Sequence, residues 1–166
     1  TIDGLRVAGY DDPLEGDTDD DAHPLRVYGS AYQRQVDAFL EWFDALPAVP
    51  NVVIVHQHGL GKRLLEHLAD EGIERVTILA GHDHRAHVDQ LGTNVLVDGG
   101  SLGAGGPFAI GEQDASFARV HFRGTRAYAA DLVAIEPLSG RGVARRIVFE
   151  PSAAQLIETD VTTQSE

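Results

Sequence analysis

The chain has 166 residues, the size of one ordinary domain, and its 43% hydrophobic and 23% charged residues allow a packed core, which excludes wholesale disorder. It holds no Cys, which excludes a disulfide framework, a thiolate zinc site and a cysteine nucleophile, and no apolar run reaches the ~18 residues of a membrane span. The net charge is −13, and the basic residues are twelve scattered Arg and the single Lys62, so a nucleic-acid backbone is not the expected partner.

Residues 4–9 (GLRVAG) are predicted as a strand, and residues 10–24 as an acidic loop carrying seven Asp or Glu. Residues 30–46 read as an amphipathic helix with Ser30 as N-cap. Val36, Phe39, Leu40 and Phe43 form its apolar stripe, Trp42 packs beside them, and Pro47 and Pro50 end it. Residues 51–56 (NVVIVH) suit a strand buried on both faces. A second helix is predicted over 61–71, with Leu64, Leu65 and Leu68 inward and Gly72 closing it.

Residues 75–80 (RVTILA) and 94–98 (NVLVD) are two more buried strands, followed by Gly81 and by Gly99-Gly100. After a Gly-rich loop, residues 116–123, 127–136 and 143–149 read as a meander of strands. One domain is expected over residues 1–158, with a polar tail over 159–166. Alternating strands and helices followed by a meander predict a mixed sheet or a pair of sheets with helices outside.

Eight His is a high count, and they cluster. His56 and His58 follow one buried strand, and His82, His84 and His87 follow the next. The carboxyl ends of neighbouring parallel strands share one rim, where ligand sites form. Neutral imidazole is the commonest protein ligand for divalent transition metals, so two strand ends that deliver imidazoles to one rim point to a metal site. His23, His67 and His121 fall outside this pattern, in the acidic loop, on a helix surface and in a strand.

The stretch Leu79-Ala80-Gly81-His82-Asp83-His84 resembles the GHxH signature of the calcineurin-like metallophosphoesterases. Val52-Val53-Ile54-Val55-His56 resembles that family's strand ending in a metal-binding His, and Val95 to Ser101 resembles its strand followed by a GS turn. Residues 3–9 resemble the strand that follows the family's GNH[D/E] motif, so the likeness in order and spacing covers roughly residues 2–149.

The resemblance implies the C-terminal part of a four-layer α/β/β/α sandwich, with mixed sheets and flanking helices. It implies metal-dependent hydrolysis of phosphomonoesters or phosphodiesters by two divalent cations of Mn, Fe or Zn type, which clamp the phosphoryl oxygens and activate a water. By the same resemblance His56 and His82 bind one metal and His84 the other, with His58 as the alternative to His56. Gly81, Asp83 and Ser101 belong to the loops beside the substrate. The resemblance places no catalytic group in these residues.

None of the family's earlier motifs, DxH, GDxxD and GNH[D/E], stands in a credible context. Gly16-Asp17-Thr18-Asp19-Asp20 spells GDxxD but lies in the acidic loop with no apolar strand before it, so it reads as a solvated segment. The chain opens at Thr1 and holds no Met, in keeping with a fold whose first half precedes it. On this reading the dinuclear centre is incomplete, these residues alone are inactive, and the partners are a phosphoester and either the N-terminal half of the same protein or a second chain. Self-association would serve the same end. The alternatives are a metallophosphoesterase-like module that binds or scaffolds without catalysis, and a plain metal-binding domain. The loop from Ser101 to Gly106 resembles that of some membrane-associated members, so cytoplasmic and membrane-associated locations both stay open.

Overall fold

The structure is a computed structural model and describes residues 1–11, 30–81, 86–100, 115–136, 139–151 and 153–160. The elements run β1 (Val7–Gly9), α1 (Ser30–Asp44), β2 (Val52–Ile54), α2 (His58–Asp70), β3 (Thr77–Ala80), β4 (Ala86–Gly92), β5 (Asn94–Gly99), β6 (Ala115–Arg123), β7 (Arg126–Ile135), β8 (Gly142–Val148) and β9 (Ala153–Asp160). They form an α/β fold with a six-stranded mixed sheet, in the order β1-β2-β3-β5-β4-β9, and a three-stranded antiparallel sheet, β6-β7-β8.

In the larger sheet, β1, β2, β3 and β5 are parallel, whereas β4 runs antiparallel between β5 and β9. The central strands β3 and β5 read as apolar runs because both of their faces are largely covered, whereas β1 and the end of β2 are more open. Val53, Ile78 and Leu96 face the helices, where Phe39 and Phe43 of α1 and Leu60, Leu64, Leu65 and Leu68 of α2 complete one core. Val95 and Val97 face the other way and pack with Val88, Ala130, Leu132 and Ala134 against the smaller sheet. The described residues therefore stack as helices, large sheet and small sheet.

Helix α1 forms where the apolar stripe predicts it. Val36, Phe39 and Phe43 are buried, and Trp42 stacks on Phe39 with ring centroids 5.7 Å apart. Helix α2 starts three residues before its predicted position, because Gln57 adopts an extended backbone and serves as N-cap ahead of His58. Its glycines look like breakers in the sequence, but Gly61 sits against the sheet, where an added Cβ would lie 2.8 Å from Leu96 Cδ1. Gly72 ends the helix at φ +66°. The Gly72 N–H donates to Ala69 O and the Ile73 N–H to Leu68 O, which satisfies carbonyls the last turn leaves open.

Two strands were not predicted. β4 alternates polar and apolar residues, a pattern that a histidine-bearing loop also shows. β9 extends to Asp160, so the sheet takes in Thr159 and Asp160 from the segment expected as a tail. Buried amides hold these additions in place. Gln90 Nε2 donates to the carbonyl oxygens of Gly92 and Glu150, and its Oε1 accepts from the Glu150 N–H. Asn94 Oδ1 accepts from the Val76 N–H, and its Nδ2 donates to Ile73 O, which locks the α2–β3 connection to β5. Among the described residues no helix is long and apolar enough to cross a membrane.

Candidate functional site

The parallel register brings four strand ends to one rim. Gly9, Ile54, Leu79 and Val97 lie side by side, so Tyr10-Asp11, Val55-His56, Ala80-Gly81 and Asp98-Gly99 emerge together. The ladder continues past the strands: the Tyr10 N–H donates to Ile54 O, the Val55 N–H to Leu79 O and the Gly81 N–H to His56 O. The rim opens as a cleft lined by Tyr10, Asp11, Ile54, His56, Leu79 and Gly81. His56 is half-buried there, and Asp11 is exposed beside it.

His82, Asp83, His84 and Ser101 lie outside the described residues, as does the Asp17 segment. What the structure shows is where the segment bearing His82 and His84 departs. Gly81 leaves β3 next to His56, on the side of the rim that borders β5. Gly81 keeps an ordinary backbone. The left-handed glycine of this rim is Gly100, at φ +67°, where the Asp98 side chain accepts the Gly100 N–H at 2.8 Å.

His56 and His58, alternatives in the sequence, part company in the structure. His56 stays on the rim, whereas His58 opens α2 and its ring lies under the helix, against the sheet. There it meets two residues that β4 and β5 hold opposite one another, His87 and Asp98. His58 Nε2 is 3.1 Å from His87 Nε2 and 3.2 Å from Asp89 Oδ2, and His58 Nδ1 is 3.6 Å from Asp98 Oδ2. Strand alternation explains the grouping: His87 and Asp89 are two apart on β4, Leu96 and Asp98 two apart on β5, and Leu96 faces the helices.

Asp98 is fully buried and Asp89 is 2% exposed. Asp89 Oδ2 and Asp98 Oδ2 accept no hydrogen bond among the described residues. One ligand atom each from His58, His87 and Asp98 lies within 4.8 Å of the others, a spacing that suits one metal ion. Of these residues the sequence pattern singled out His58 and His87 by their position after strands, but it passed over Asp89 and Asp98. The readable signal was parity: each acid falls on the same face of its strand as its neighbour two residues away.

Two other histidines take structural roles. His67 Nε2 is 2.9 Å from Asp44 Oδ1 and links the two helices. His121 Nε2 is 2.7 Å from Asp131 Oδ2, while Arg146 clamps the same carboxylate through Nε and Nη2. The Arg146 guanidinium first, and His121 second, hold the Asp131 carboxyl well below the usual carboxylate range. No family model, no curated protein and no solved structure matches the chain.

Proposed function

We propose that these residues contribute to a metal-dependent phosphoesterase, with the reacting centre at the carboxyl rim of the large sheet. The observation that carries this reading is the convergence of Asp11, His56 and Gly81, the residue before His82, at adjacent parallel strand ends. Imidazole and carboxylate donors on a rim suit manganese, iron or zinc cations, which when bound polarise a phosphoryl oxygen and generate a nucleophilic hydroxide. His56, His82 and His84 are the proposed ligands, and Gly81, Asp83 and Ser101 line the approach of the substrate. The remaining ligands come from residues outside this sequence, supplied by an adjoining segment or a second chain.

The open side of the large sheet supports that arrangement. β1 is an edge strand, and Ile54, the last residue of β2, is 47% exposed although it lies in an apolar run. A completing layer over this side, in a four-layer sandwich, is the proposed architecture of the whole. The test is manganese-dependent hydrolysis of a chromogenic phosphodiester. These residues alone should give no turnover. The protein extended by its adjoining segment or partner should turn over, and His82→Ala should lower the rate at least ~100-fold. Turnover that His56→Ala and His82→Ala both leave unchanged would overturn the reading.

A further inference from the structure

The cluster beneath α2 borders the rim at Asp98 but draws its imidazoles from α2 and β4, and it carries its own inference. We propose that His58, His87 and Asp98, with Asp89 alongside, form an interior site for a single divalent cation of zinc type, pinning the start of α2 to β4 and β5.

Donor chemistry comes first. With no Cys in the chain, two imidazoles and a carboxylate are a natural zinc donor set, and three protein ligands suffice when water or a further carboxylate completes a tetrahedron. Ligand atoms about a tetrahedral zinc with bonds of about 2.0 Å stand roughly 3.3 Å apart. His58 Nε2 lies 3.1 Å from His87 Nε2 and 3.2 Å from Asp89 Oδ2, already close to that spacing.

Charge is the second observation. Asp89 and Asp98 place two carboxylates in the interior, and among the described residues their ion pairs are both to His58. Buried carboxylates are retained where a cation or a set of hydrogen bonds compensates them. One dication with two neutral imidazoles balances both carboxylates.

Preorganisation is the third. The Gly100 N–H holds Asp98 Oδ1 at 2.8 Å, while Asp98 Oδ2, buried and without a hydrogen bond among the described residues, turns toward His58. One carboxylate of the group is thus fixed in place while a ligand atom of Asp98 lies within 4.8 Å of a ring nitrogen of both His58 and His87. The antiparallel pairing of His87 with Asp98 fixes their separation through backbone bonds.

The experiment uses the tag-free chain carrying His56→Ala, His82→Ala and His84→Ala, so that none of the proposed rim ligands is present. After treatment with chelator and dialysis against zinc, this protein should retain one equivalent of zinc by elemental analysis. Its melting temperature should rise by roughly 5–10 °C when zinc is present at about a hundredfold its Kd. Adding His58→Gln or Asp98→Asn should abolish both the equivalent and the rise. No retained zinc, or zinc undiminished by both substitutions, overturns the site. Ring-nitrogen NMR of the unsubstituted chain covers the case in which a variant does not fold. Zinc should shift the ring nitrogens of both His58 and His87, and unshifted signals for the pair at saturating zinc would also overturn it. Phosphodiesterase activity does not enter these readouts, so the rim reading and the interior site stand or fall separately.

Discussion

Single side chains decide much of this fold through what they satisfy. Asn94 and Gln90 are buried polar residues that sit between strands, and each bonds to backbone groups that the sheet leaves open. On the small sheet, Asp131 takes two bonds from Arg146 and lies against His121. Its folded carboxyl is depressed, so the ion pair adds stability above the ordinary carboxyl value of 3.8, and that contribution is lost as pH falls from there toward the folded value. Arg146 is 62% exposed, so solvent and salt screen the effect. Asp131→Asn is expected to flatten the fall of the urea midpoint below about pH 4, with a smaller difference in high salt. Parallel acid profiles for the two proteins would contradict this.

Among the elements, α2 does the most to join the halves of the site. Its apolar face covers Ile78 and Leu96, and its first residue, His58, reaches β4 and β5. Gly61 allows that close approach, since a Cβ would meet Leu96 at 2.8 Å and Ile78 at 3.3 Å. Gly61→Ala gains about 1 kcal/mol of helix propensity but overpacks two fully buried side chains, a cost of roughly 1–3 kcal/mol. The expected outcome is a net loss of about 1 kcal/mol in urea unfolding, with a weaker hold of His58 on the sheet. A more stable variant would show that the helix can shift outward.

Much at this level was legible in the sequence. The stripe of Val36, Phe39 and Phe43 and the run NVLVD report faces whose burial is uniform, and VVIV departs from this only at the exposed Ile54. The start of α2 was not legible, because a glycine chosen for contact with Leu96 looks the same as a glycine that breaks a helix. β4 was not legible either, because His87 and Asp89 put polar groups on an inward face, which inverts the usual pattern. The rim could be anticipated from strand ends alone. The interior cluster depends on which strands become neighbours.

For the molecule as a whole, β9 returns the end of the described chain to the sheet and shields β4 on its outer edge. A chain ending at Glu150 would leave β4 as an edge strand and remove the strand that pairs with it through His87 and Asp89. Hydrogen exchange should then lose protection across β4, with β6 and β7 keeping theirs. Protection retained throughout β4 would show that β5 alone secures it.

The strand order also has a kinetic side. β5 lies between β3 and β4, although it follows both along the chain. The two flanking strands are therefore not partners of one another. The sheet closes when the β4–β5 hairpin, a local structure, docks β5 onto β3. That step must hold β3 and β5 together in parallel, against the entropy of the loop between them, before burial of Leu96 and Val97 repays it. Folding speed should accordingly answer to the β3–β5 seam more than to either helix.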